Sequence, residues 1–108
     1  PAVGLEVEGA VETLRALNKR GHRLILFTMR SGEKLEAAER WFRDRKIELW
    51  AVNENPEQRS WTASPKVYAD YYIDDSALGC PIMFIDGVRH PVVNWSKVRT
   101  MLEYNRVL

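Results

Sequence analysis

Apolar positions along the chain fall into two periods. Val7, Ala10, Val11, Leu14 and Leu17 recur at i, i+3, i+4, i+7 and i+10, the stripe of an amphipathic helix. Gly21 supplies its stop, with Lys19 and Arg20 in the last turn. Leu24 to Phe27 is a short continuous apolar run between polar residues, which predicts a strand buried on both faces of a parallel sheet. Ser31-Gly32-Glu33-Lys34 reads as a turn into a second helix that Ser31 caps, although Lys34 stands where a full capping box has an acid. Leu35, Ala38 and Phe42, with Ala37 and Trp41 beside them, give that helix its inner face.

Ile47 to Val52 is the next strand candidate, and residues 53–65 form a polar loop with two prolines, long for a plain connector. Lys66 to Ala69 suits a helical turn, and Tyr71 to Ile73 suits another strand. Ile82 to Ile85 and His90 to Val93 flank Asp86-Gly87, a strong turn dipeptide, so a hairpin is expected there. Trp95, Val98, Met101 and Leu102 return to helical spacing and close the chain. Helices alternating with short apolar runs predict an α/β layer protein whose sheet is mainly parallel.

At 108 residues the chain suits one domain, 1–108, and 45% apolar with 29% charged residues is ordinary for a globular protein. A formal net charge of +1 argues against a dedicated nucleic-acid binder. Lys19-Arg20 and the basic residues from Arg43 to Lys46 read as complements to helix C-termini. Cys80 is alone, so no internal disulfide is expected, and no apolar run approaches a bilayer span. The expected setting is the cytoplasm, with no membrane partner. Oligomeric state is not legible.

Candidate chemistry sits at strand ends. Tyr71-Tyr72-Ile73 runs into Asp74-Asp75, and ionised carboxylates at the end of an apolar run call for a compensating charge, such as a bound cation. The plainer alternative is that the two acids begin and cap a turn. In an open parallel sheet, ligands bind beyond the carboxyl ends of the strands, where Thr28 would end one strand and Asp74-Asp75 another. Thr28-Met29-Arg30-Ser31-Gly32 precedes a helix, and hydroxyls and amides in that setting favour anions. Lys66 is either a compact cation facing a phosphate or a solvated surface lysine. Trp61 reads as a loop anchor or a stacking residue. One Cys and two distant His give no support to a zinc site or a catalytic triad.

In this order and spacing, Leu24-Ile25-Leu26-Phe27-Thr28 resembles motif II of the haloacid dehalogenase (HAD) superfamily, in which a Ser or Thr binds the transferred phosphoryl group. Ser64-Pro65-Lys66-Val67-Tyr68-Ala69-Asp70 resembles the motif III lysine segment, and Tyr72-Ile73-Asp74-Asp75 resembles motif IV, whose acids help hold Mg²⁺. The phrases 21–33, 61–66 and 73–81 are similar to those of small HAD-like hydrolases of bacteria and phages. The resemblance implies a three-layer Rossmann-like fold, a mainly parallel sheet flanked by helices. It also implies a motif I strand ending in D-x-D-G-T, which bears the nucleophile and the general acid/base. No such loop occurs among the 108 residues. Phe84-Ile85-Asp86-Gly87-Val88 has Phe84 where the nucleophile would stand, and it reads as a hairpin turn.

The expectation is therefore a domain short of its first strand, from a Mg²⁺-dependent phosphohydrolase acting on a small phosphate ester or nucleotide through an aspartyl-phosphate. The nucleophile would lie upstream of Pro1, and the 108 residues alone would be inactive. The resemblance gives Thr28 and Lys66 catalytic roles, Asp74 and Asp75 the metal, and Met29 and Arg30 subsidiary contacts to phosphate. The alternatives are a non-catalytic phosphate- and metal-binding module, or an interaction domain completed by a strand from another chain.

Overall fold

The computed structural model describes residues 6–108; Pro1 to Leu5, at the chain start discussed above, lie outside the described residues. Helix α1 spans Ala10–Lys19, strand β1 Ile25–Leu26, helix α2 Gly32–Asp44 and strand β2 Ala51–Val52. A 3-10 turn at Gln58–Ser60 follows, then β3 Ile82–Met83, β4 Val92–Val93 and helix α3 Trp95–Tyr104. The chain is thus a mixed α/β fold.

The helices form over the predicted stripes, because the spacing places apolar side chains on one face, although Val7 precedes the α1 N-cap, Gly9. Leu17 of α1 and Val98 and Leu102 of α3 make the central cluster, with Leu14, Leu24, Ile73, Val93, Trp95 and Val107 packed around it. Each helix closes in the same manner. At α1 the His22 amide donates to the Leu17 carbonyl and the Gly21 amide to the Asn18 carbonyl. The left-handed residue this needs is Gly21 (φ +86°) there, but Lys46 (φ +57°) after α2 and Arg106 (φ +60°) after α3. Ser31 does occupy the N-cap of α2, yet its hydroxyl makes no capping bond. Asn94 caps α3 instead, its side chain accepting from the Lys97 amide at 3.1 Å.

β1 and β2 pair in parallel, Ile25 opposite Ala51 and Leu26 opposite Val52. β3 and β4 pair antiparallel, Ile82 opposite Val93, joined through a turn in which the Val88 amide donates to the Ile85 carbonyl. Gly87 sits at φ +84° in that turn, which an L-residue would adopt only with strain. The predicted hairpin is present, with shorter strands than the pattern suggests.

Four expectations are corrected. The sheet among the described residues is not one extended parallel sheet but two separate two-stranded ones. β1 is only half-buried and Phe27 is 61% exposed, so it is not covered on both faces. Tyr71 to Ile73 belongs to no ladder, and Lys66 to Ala69 to no helix. For the strands the reason is shared: a strand is defined by its neighbour, and among the described residues β1 pairs with β2 alone, while its residues and Val67 to Asp74 line a common cavity of about 540 Å³. Among the described residues, no helix is long and apolar enough to cross a membrane.

Candidate functional site

Thr28 stands just beyond the carboxyl end of β1 and just before α2. Its backbone is held on both sides by one side chain. The Thr28 amide donates to Asn53 Oδ1 at 2.8 Å, and Asn53 Nδ2 donates to the Thr28 carbonyl at 3.0 Å. The Asn53 amide in turn donates to the Leu26 carbonyl at 2.8 Å, so its side chain extends the β1–β2 ladder by one rung. Asn53 takes φ +54°, a left-handed conformation that asparagine tolerates better than most residues. The Thr28 hydroxyl oxygen accepts from the Arg30 amide at 3.1 Å. Its own proton meets no acceptor among the described residues, which leaves it available to a ligand.

Lys66 is exposed, with Nζ 5.7 Å from the centre of the Tyr72 ring. Its main chain is tied down by Gln58, which is only 7% exposed. Gln58 Nε2 donates to the carbonyls of Ser64 (3.0 Å) and Lys66 (2.8 Å), and Gln58 Oε1 accepts from the Tyr68 amide at 2.9 Å. Every hydrogen of that amide is used. Tyr68 packs edge-on against Trp61 at 5.5 Å, and its phenol donates to Asp70 Oδ1 at 2.7 Å. The bond to the Asp70 carboxylate, with its charge nearby, raises the Tyr68 pKa above 10.0. Trp61 remains 62% exposed, so its one aromatic neighbour does not bury it.

Asp74 and Asp75 are half-buried. Asp74 Oδ1 accepts from the Ser76 amide at 2.9 Å and its carbonyl accepts from the Ala77 amide at 3.0 Å, the turn-capping role open to it from the sequence. No ion pair engages either carboxylate among the described residues. Nor do three or more His, Cys, Asp or Glu side chains gather there in a way that could hold a metal.

Phe27, next to Thr28, and Asp74 line the same cavity, which sets the end of β1 and the first acid on one opening. Thr28, Lys66, Asp74 and Asp75 are not joined to one another by any hydrogen bond or ion pair among the described residues. Of the subsidiary candidates, Met29 is fully exposed, and Arg30 is half-buried with its backbone amide on Thr28. Asn53 and Gln58 were not among the expected site residues. Their one sequence signal is position, in the polar stretch that follows the β2 run directly.

No family model matches the chain, and no curated protein matches it. Among solved structures, a conserved protein coded by locus from Bacteroides thetaiotaomicron is 35% identical, with a TM-score of 0.71. The match covers 94% of this chain and 75% of that one. This chain belongs to the family of that Bacteroides protein. The similarity extends over nearly all of the chain, so the β1–α2 junction and the 53–76 segment fall largely within shared structure.

Proposed function

We propose that the protein is a Mg²⁺-dependent phosphohydrolase acting on a small phosphate ester or nucleotide, with a nucleophilic aspartate supplied by chain outside the 108 residues. The observation that carries the reading is Thr28 at the carboxyl end of a parallel strand, its backbone clamped and its hydroxyl proton without an acceptor among the described residues, with Asp74 and Phe27 lining one cavity. In this reading Thr28 donates to a phosphoryl oxygen, and the Lys66 ammonium neutralises charge near it. Asp74 and Asp75 would hold Mg²⁺. Two adjacent carboxylates without ion-pair partners among the described residues suit it, because Mg²⁺ commonly takes one or two carboxylates and fills its shell with water and substrate phosphate. When bound there, Mg²⁺ supplies positive charge against the phosphoryl oxygens. The 53–65 segment and the 82–93 hairpin are the proposed sources of selectivity.

A second reading, a binding module without turnover, is favoured by one feature: Asp74 already serves a turn, and no three-acid cluster surrounds it among the described residues. Hydrolysis of p-nitrophenyl phosphate by the full gene product, with Mg²⁺ and then with excess chelator, separates the two. The phosphohydrolase reading expects Mg²⁺-dependent turnover that falls by about 100-fold or more in Thr28→Val, as for a lost transition-state donor. It expects Asp75→Asn to raise the Mg²⁺ concentration needed for half-maximal rate. Turnover indifferent to Mg²⁺ and to both substitutions would eliminate it.

A further inference from the structure

We infer that Asn53 and Gln58 are positioning residues, a pair of amide clamps by which the 53–58 segment holds Thr28 and Lys66 in place for the proposed reaction. The inference rests on that reading for its purpose, and on hydrogen bonds for its geometry.

Among the described residues, the Asn53 side chain hydrogen-bonds to Thr28 alone. Both of its side-chain bonds go to the Thr28 main chain, and its own amide fixes it to Leu26 two residues earlier. With both backbone groups held, and the hydroxyl oxygen engaged by the Arg30 amide, a β-branched side chain has little freedom left at χ1. Asn53 thus holds the Thr28 main chain from β2, across the ladder, while the Arg30 amide engages the hydroxyl oxygen from Thr28's own segment. Gln58 does the same for the other group. It is buried, it spends both N–H donors on the Ser64 and Lys66 carbonyls, and it receives the Tyr68 amide, so the 64–68 main chain wraps around one side chain. The lysine side chain stays exposed on an anchored base.

The two clamps lie five residues apart on one segment, with Asn55 between them donating to the Tyr68 carbonyl at 3.1 Å. Asn53 and Gln58 therefore couple the end of β1 to the lysine loop, although Thr28 and Lys66 do not touch. Arg23, which salt-bridges Glu57 at 2.7 Å and stacks on Trp50 at 4.0 Å, braces the same segment from the start of β1.

Asn53→Gly tests the clamp while keeping a residue at ease at positive φ. Amide hydrogen exchange at Thr28 should accelerate by about tenfold or more while the α3 amides stay unchanged, the mark of local opening. Asn53→Asp, which keeps the accepting oxygen, should retain protection at Thr28. With p-nitrophenyl phosphate and Mg²⁺ on the full gene product, Asn53→Gly should lower kcat by up to about 100-fold, the scale of a misplaced catalytic group. The same change in a Thr28→Val background should cost less than about twofold, because a residue that acts through Thr28 has nothing left to position. Unchanged Thr28 exchange in Asn53→Gly, or equal kinetic losses in both backgrounds, overturns the inference. A wild-type protein without turnover overturns the phosphohydrolase reading and the catalytic purpose of the clamps, while the exchange data still decide whether Asn53 holds Thr28.

Discussion

Replacing Gln58 by leucine removes one side chain and three hydrogen bonds together. Gln58 is 7% exposed, and its amide serves the Ser64 and Lys66 carbonyls and the Tyr68 amide at 2.8–3.0 Å. Each such bond contributes a net of about 0.5–1.5 kcal/mol, and a buried partner left unpaired costs more. Two effects reduce the loss. Ser64, Lys66 and Tyr68 are exposed, so water can reach part of what is freed, and leucine gains from burial where glutamine did not. A destabilisation of about 2 kcal/mol is expected. With a urea slope of about 2 kcal/mol/M for a domain of this size, the unfolding midpoint should fall by about 1 M.

Gln58→Glu sharpens the test. Its carboxylate would place negative charge against two carbonyl oxygens where an amide had donated, raising the folded-state pKa of the new carboxyl. The native state then binds more protons than the unfolded chain above the ordinary glutamate range of about 4.3. The variant should lie nearer to wild type at about pH 4, and its deficit should widen as pH rises through the folded-state value. A midpoint shift below about 0.2 M for Gln58→Leu, or a Gln58→Glu deficit that narrows with rising pH, would refute the claim that this amide holds the 64–68 loop.

Two further outcomes are expected. Leu102→Ala empties part of the α1–α3 cluster, where Leu102 is 6% exposed beside Leu17 and Val98, and should cost about 2–4 kcal/mol in equilibrium unfolding. A loss under about 1 kcal/mol would mean that this cluster is not the main core. Asp70→Asn removes the charged acceptor that lifts the Tyr68 pKa, so phenolate absorbance should titrate closer to 10.0 than in the wild type. The wild-type contribution to stability is full below that value and disappears as pH climbs through the raised one, and an unmoved titration would show that Asp70 is not its cause.

What the sequence by itself determined is what depends on near neighbours in the chain. The stripes of α1 and α3 are local periodicities, and Leu17, Val98 and Leu102 among the residues they select are buried, although Met101 of the α3 stripe is 46% exposed. Leu24 to Phe27 reads as a strand because an apolar run bounded by polar residues has few other uses, and Asp86-Gly87 as a turn because glycine relieves a positive φ. Thr28 at a strand end before a helix was legible for the same reason.

The rest was decided between distant segments. Tyr71 to Ile73 has the composition of a strand and lines a cavity with β1, but it joins no ladder among the described residues, and composition cannot supply a neighbour. Half-burial of β1 follows from the same geometry. Asn53 and Gln58 look like solvated residues of a polar loop, since nothing local distinguishes an amide facing water from one facing three backbone groups. Only the folded chain brings the end of β2 beside Thr28 and wraps residues 64–68 around Gln58. The chemistry-bearing residue types were legible in the sequence; which side chains hold two of them in place depended on hydrogen bonds spanning 8 to 25 residues.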